Sequence, residues 1–540
     1  MGAGGGAARR RRGTAAGLFG AAVLVAGTVL TASGAYAQPS PVPGGHSAGH
    51  GEDDERDSGD GHDGRKGDHG KVGAGPGSGE GRSATPGRRS GSPASAPASA
   101  PATGGGDAAA ARPGPVPGAV LAAAAAGPEA AAPSTQGLQQ ALAAALADRN
   151  LGEVTFAVAD AAGGQLLYGS GENAPATPAS TTKLATSVAA LSLIPGDARL
   201  TTRVVRGAEP GTVTLVGGGD PTLTALPADQ VQIGGQPADA DTAPASLDAL
   251  ARQTAAALAA AGTTTVKLDY DLSLYSGNPQ HRNHDAQNIA LVVPLMVDEA
   301  KADPRSREEA PDRVADPAGA AAEAFAALLR AQGVTVEGRA RPAAAPAAVD
   351  APVLGRVDSP TVDRLVERLL TTSDNQLAEA IARQVALAAH QPASFEGAAA
   401  AVTQELARLG VPMTGVVLDD GSGLHPDNAI PPAVLVRLLS LAASEQHPAL
   451  RPVLTGLPVA GFTGTLGKRY GSGSGAAGAA GLIRAKTGTL RGVNTLAGTV
   501  VDADGRLLAF AVMTRTPAPV DTARAAMDRI AAHLAACGCH

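Results

Sequence analysis

Tryptophan is absent from this 540-residue chain, and aromatic residues make up only 2% of it. Stacking platforms for bases are therefore lacking. The net charge is −7, with no basic block beyond Arg9 to Arg12. Together these exclude nucleic acid as a partner. Cysteine is scarce: Cys537 and Cys539 sit at the C-terminal end with only Gly538 between them. They cannot staple the fold. They leave three readings: a local disulfide, a frayed thiol tail, or a metal site completed by His540. Two thiols and a terminal His make a poor closed shell for a metal. Beyond the N-terminal segment no stretch is long and apolar enough to span a membrane.

What is plentiful is Gly and Pro, at 70 and 40 residues, and much of it lies early. Arg9 to Arg12 form a charged region, and Gly13 to Thr31 are small and apolar. Ala35-Tyr36-Ala37 is a small-x-small cleavage site before Gln38. Residues 1–37 therefore read as a Sec-type export signal, or alternatively as an uncleaved membrane anchor. Either places the rest outside the cytoplasm, secreted or associated with the cell envelope. Residues 38–133 are low-complexity and cannot bury a core. Their His46, His50, His62 and His69 read as part of a solvated spacer, with loose metal binding as the alternative. Gly45-His46-Ser47-Ala48-Gly49 fits Gly-x-Ser-x-Gly but lacks the strand and helix that this motif needs.

The globular part begins near Ser134. Thr135 to Asp148 reads as a helix, and Val154–Ala159 with Gln165–Tyr168 as a hairpin. An apolar helix follows Ser180. Thr201–Val216 is strand-like, Ala245–Ala261 a helix, Thr264–Leu274 a strand, Ala318–Gln332 a helix and Val334–Arg339 a strand. Val362 to Ala388 is helical, broken at Thr371 to Asp374. Pro432–Ala443 is a helix. Ile483–Thr489, Val493–Val501 and Leu507–Arg515 read as successive strands, the last two joined by a turn at Asp502–Gly505. Val520–Ala536 closes the chain as an amphipathic helix. Helices bracketing antiparallel strands predict an α+β layer structure, with the block from Thr201 to Ala351 inserted in it.

Three short motifs carry chemistry. Ser180-Thr181-Thr182-Lys183 sets a hydroxyl and an amine three residues apart. On a helix, that spacing places them one turn apart on one face. A serine is a weak nucleophile and needs a base beside it. Only a neutral amine can serve, so the site must lower the lysine pKa by burial or a second cation. The alternative is Ser180 as an N-cap with Lys183 in solvent. No other lysine of the chain has a serine three residues before it. Ser373-Asp374-Asn375 falls at the break between two helices. Its hydroxyl suits proton relay and its amide suits a peptide group; the alternative is Ser373 as an N-cap. Lys486-Thr487-Gly488-Thr489 ends a strand, where a cation and two hydroxyls suit a carboxylate lying along a sheet edge. The alternative is a solvated edge strand with a protective lysine.

In this order, Ser-x-x-Lys, Ser-Asp-Asn and Lys-Thr-Gly are the set of class A β-lactamases and penicillin-binding proteins. From Ser134 to His540 the chain resembles the D-alanyl-D-alanine carboxypeptidase/endopeptidases, the low-molecular-mass class C penicillin-binding proteins. Flanking strings add to the resemblance: Gly217 to Leu223, Pro294 to Glu299, Asp420 to Leu424, Leu457 to Gly461, and Gly464-Thr465-Leu466. The resemblance implies a transpeptidase-like antiparallel sheet flanked by helices, with an inserted accessory domain. Residues 134–200 and 352–540 would form the catalytic domain, and 201–351 the insertion. Ser180 would be the acylated nucleophile, Lys183 its base, and Ser373 the relay to leaving D-alanine. Asn375 would bind the substrate backbone. Lys486, Thr487, Gly488 and Thr489 would hold the terminal carboxylate. The N–H groups of Ser180 and Thr489 would form the oxyanion hole. The substrates implied are peptidoglycan stem peptides, with β-lactams as inhibitors and no metal or organic cofactor. Two alternatives are a serine β-lactamase and a non-catalytic muropeptide-binding envelope protein. Against the first, Ser373 lies far beyond Ser180, with a domain-sized block between. Three departures from the family stand out: an insertion short for two domains, His425 where a small polar residue is expected, and the long spacer after the signal.

Overall fold

Ser134 accepts a hydrogen bond from Gly137 N and so starts the first helix, Thr135–Leu146 (α1). The structure, a computed structural model, describes residues 131–540 apart from 234 and 309. The expected export signal, nearly all of the spacer and its histidines, and the Gly-x-Ser-x-Gly string lie outside those residues. Glu153–Asp160 (β1) and Leu166–Ser170 (β2) form the expected hairpin. Thr182–Leu193 (α2) is buried along nearly its whole length. Arg199–Arg206 (β3), Thr212–Val216 (β4) and the two-residue strands Gln232–Ile233 (β5) and Gln236–Pro237 (β6) come next. Leu247–Ala260 (α3), Thr265–Asp271 (β7), Pro317–Ala331 (α4), Thr335–Pro342 (β8) and Val353–Thr361 (β9) follow. Then come Val362–Thr372 (α5), Asn375–Ala388 (α6), Phe395–Arg408 (α7), Pro432–Ala443 (α8) and the short Arg451–Thr455 (α9). Ile483–Leu490 (β10), Val493–Val501 (β11) and Leu507–Arg515 (β12) precede Val520–Ala535 (α10).

The first sheet runs β10-β11-β12-β1-β2, all antiparallel, so β10 is an edge strand. Alternation sorts its side chains. Phe156, Val158, Leu496 and Phe510 meet Leu138 of α1 and Met527 and Ile530 of α10. Ala157, Ala159, Ala497 and Ala509 face the helical layer that includes α2, α5, α6 and α8. Alanine on that face lets α8 lie close against β1 and β12. The result is a helix–sheet–helix sandwich, the expected α+β arrangement.

The second sheet runs β8-β7-β4-β3-β9. Its β4-β7-β8 part is parallel, with α3 and α4 as the crossovers. It has its own core around Leu250, Phe325 and Leu329. In sequence this sheet starts at Arg199 and ends at Thr361, so its first and last strands, β3 and β9, reach past the 201 and 351 limits read from sequence. Strand β9 carries Gly355, Asp358 and Pro360, a poor strand composition, and is held by pairing with β3. No helix among the described residues is long and apolar enough to cross a membrane. Cys537 and Cys539 are joined by a disulfide. The tail is packed, not frayed: Cys537 is buried, and Cys539 O accepts from Ser134 N at 2.7 Å.

Candidate active site

Ser180 does not sit on an α-helical turn, as its spacing from Lys183 suggested. It lies in a 3-10 turn, Ala179–Thr181, immediately before α2. Ala179 has φ +47, a strained value for a residue with a Cβ. The turn is clamped from outside by Gly423, whose own φ is +84. A Cβ on Gly423 would lie 1.9 Å from Ala179 O, so only glycine allows that approach.

Lys183 is fully buried. Its Nζ lies 2.7 Å from Asn375 Oδ1, 2.7 Å from Ser422 O and 3.0 Å from Ser180 Oγ. The first two oxygens can only accept. The third belongs to a hydroxyl, which can also donate. A neutral amine has two N–H groups and one lone pair. It fits this site by donating to Asn375 and Ser422 and accepting from Ser180. Burial pushes the amine down to about 8, against the opposing pull of the Asp420, Glu379 and Asp374 charges.

Ser373 ends α5 in the left-handed conformation, φ +61. It is not the N-cap of α6; Asp374 fills that place by accepting from Leu377 N at 3.0 Å. The Ser373 hydroxyl turns instead to Lys486, whose buried Nζ lies 2.8 Å from Ser373 Oγ and 2.8 Å from Thr487 O. Asn375 is engaged at both ends, accepting from Lys183 and donating to Asn288 O at 3.2 Å. Thr487 Oγ1 lies 2.8 Å from Thr465 Oγ1, and Thr489 Oγ1 accepts from Arg524 at 3.1 Å. On the open edge of β10, Ala485 N donates to Pro458 O. Strand period then points the N–H groups of Thr487 and Thr489 out of the same edge. Gly488 comes close to the serine turn: a Cβ there would lie 2.9 Å from Ser180 N and 2.8 Å from Pro178 O. All three motifs thus converge, with Ser180 between α6 and β10.

The model of the D-Ala-D-Ala carboxypeptidase 3 (S13) family matches residues 138–311 and 295–534. The chain belongs to the S13 family. It is 38% identical over 418 residues to a carboxypeptidase, DacB, of Mycolicibacterium smegmatis, covering 75% of this chain and 85% of that one. It is 29% identical to a D-alanyl-D-alanine carboxypeptidase of an Actinomadura species, covering 70% and 80%. Penicillin binding protein 4 of Haemophilus influenzae shares its fold, with TM-score 0.57, 20% identity and coverage of 74% and 98%.

In this S13 protein, several residues that support the motifs were missed by sequence reasoning. Asp420 gathers N–H donors from Gly423, His425 and Asn428, and pairs with His284 Nε2 at 2.9 Å. Glu379 Oε1 accepts from Gly421 N and Ser422 N. Together they fix the loop that aims Ser422 O at Lys183. The signal for Glu379 was available: Asn375, Glu379 and Arg383 recur every four residues on α6, a polar stripe in an apolar helix. His425, one of the departures from the family, is buried between Asp419 and Asn283 of the inserted block. His284, Glu379 and Asp420 are grouped closely enough to suggest a metal. Both Asp420 oxygens and Glu379 Oε1 accept from N–H donors of the 421–428 loop, so these two carboxylates clamp that loop, while Glu379 Oε2 is buried without a hydrogen-bond partner among the described residues.

Proposed function

We propose that the chain is a serine D-Ala-D-Ala carboxypeptidase/endopeptidase acting on peptidoglycan stem peptides through an acyl-enzyme on Ser180. The observation that carries this is the setting of Lys183: of its three oxygen partners, the Ser180 hydroxyl alone can donate to the amine's lone pair. Ser180 Oγ attacks the carbonyl carbon between the two D-alanines, and its proton passes to Lys183 Nζ. The oxyanion is met by the N–H groups of Ser180 and Thr489. The C–N bond breaks, and Ser373 relays a proton to the leaving nitrogen, with Lys486 holding its hydroxyl. Asn375 keeps Lys183 in line, and the one amide N–H not used on Asn288 O is offered to the substrate backbone. Water then releases the acyl group. Residues 1–37 deliver the enzyme to the cell envelope, as a cleaved signal or as a membrane anchor.

Incubation of the purified protein with a fluorescent penicillin tests this reading. The expected result is a slowly released adduct, mapped by mass spectrometry to Ser180. An adduct elsewhere, or none on folded protein, sinks it, and fast turnover moves it to a β-lactamase.

Gly488→Ala offers a second check. The added methyl meets Thr495 Oγ1 at 2.2 Å as well as the serine turn. One of these neighbours, Ser180 N, is an oxyanion donor. Acylation is expected to fall by roughly 10²-fold or more, the effect of losing one such donor. A rate of labelling close to wild type would show that the strand and turn are not held this tightly.

A further inference from the structure

The terminal carboxylate of a D-Ala-D-Ala peptide is an anion, and a cation donating to it binds it more strongly than neutral donors do. Lys486 is the obvious candidate, yet its ammonium is buried and drawn to Ser373 Oγ and Thr487 O. Side chains of β10 alternate between faces. Lys486 therefore points to the helical layer of α2 and α6, while Thr487 and Thr489 point to the layer of α10. On that second face a guanidinium meets the motif: Arg524 Nη2 donates to Thr489 Oγ1 at 3.1 Å.

Building on the carboxypeptidase function, we infer that Arg524 is a substrate-binding residue that receives the carboxylate of the leaving D-alanine, with the Thr487 and Thr489 hydroxyls. Three features support it. Arg524 is partly open, with 34% of its side chain exposed. Its ion-pair partner is Asp521, 3.7 Å away and 98% exposed, a solvated pair that leaves the cation largely uncompensated. The neighbouring Arg469, by contrast, is bound by both oxygens of Asp528 at 3.0 and 2.6 Å and so is spent on structure. A guanidinium has five N–H donors in a planar fork that matches a carboxylate. One of them on Thr489 aims the fork along the strand edge. Lys486 then serves the proton relay and Arg524 the anion.

The test uses the full chain and two N-acylated peptides ending in D-Ala-D-Ala, one with a free carboxylate and one with a terminal carboxamide. Wild type is expected to prefer the acid. Arg524→Gln is expected to raise KM for the acid by about tenfold or more, the weight of a charge-assisted hydrogen bond, with kcat little changed. The carboxamide should be cleaved as by wild type, and the melting temperature should hold. Arg524→Lys should recover part of the loss. An equal fall on both peptides would mean a structural role and overturn the inference, as would an unchanged KM for the acid. Wild type that is labelled by penicillin but cleaves neither peptide would sink the substrate reading and this inference together.

Discussion

Lys183→Met is expected to slow acylation of Ser180 by roughly 10²–10⁴-fold, the range for loss of a positioned general base. Stopped-flow or gel measurement of labelling by a fluorescent penicillin reads this directly. The same base should shape the pH profile. Only the neutral amine accepts a proton, and burial brings Lys183 down to about 8. Acylation is therefore expected to rise with pH through that value and level off above it. A flat profile between pH 6 and 9 would show that another group takes the proton. Stability should follow the same group. Because its folded pKa is depressed below the ordinary 10.5, the unfolded chain holds the proton more tightly between about 8 and 10.5. The Lys183 contribution to stability thus grows as pH rises across that window. Met fills the space of the lysine stem without its charge, so the variant should stay folded at pH 7. Loss of labelling then reports chemistry.

The second large effect is expected at Glu299, far from Ser180 in sequence and touching none of the motif hydroxyls. Glu299 is buried, 2.6 Å from Lys301 and in direct contact with Arg368 of α5. Burial works to raise its pKa, but the Arg368 and Lys301 charges win and hold it well below the carboxylate range. Asp374 lies against it; burial and the Glu299 charge push Asp374 up to about 6. This buried group of charges sits under the break between α5 and α6, which sets the positions of Ser373 and Asn375. Glu299→Ala removes the carboxylate in contact with Arg368 and leaves Asp374 and Asp220 as its remaining counter-charges; breaking one side of a buried pair costs about 3–5 kcal/mol. Urea unfolding should show that loss, and labelling of the surviving folded fraction should also slow. In Glu299→Ala with Arg368→Ala, the combined loss should be smaller than the sum of the two single losses. Additive losses would mean that the two residues act separately.

The motifs were legible because their chemistry lies in residues next to one another. Ser180 with Lys183, Ser373 with Asn375, and Lys486 with Thr489 each announce a local group, and the fold only had to bring three groups together. The strands β11 and β12 and the helix α8 were legible to their end residues because β11 and β12 are short apolar runs parted by the Asp502–Gly505 turn and α8 is an apolar run that opens on Pro432. Helix α7 escaped notice because Ala398 to Ala401 blur any periodicity, and its N-cap Ser394 stands out only once the helix is known. The clamp of Asp420, Glu379 and His284 was illegible for a different reason. Its members come from three distant segments: the polar stripe on α6 and the Asp420 to Leu424 string could mark two of them singly, but nothing in the sequence joins them to each other or to His284. Arg524 belongs with them: on α10 it reads as one more surface charge until β10 is seen beside it.

The order of strands in the first sheet also has a meaning in time. Glu153 of β1 pairs with Arg515 of β12, and the serine turn is walled by Gly488 of β10. A chain still being made carries Ser180 and Lys183 long before it has the strand that walls the serine turn. Such distant pairings form late and slowly. Until β10 arrives, the turn that carries Ser180 lacks the wall at Gly488. Latency is thus built into the topology: the site cannot be assembled before nearly all of the chain has been made.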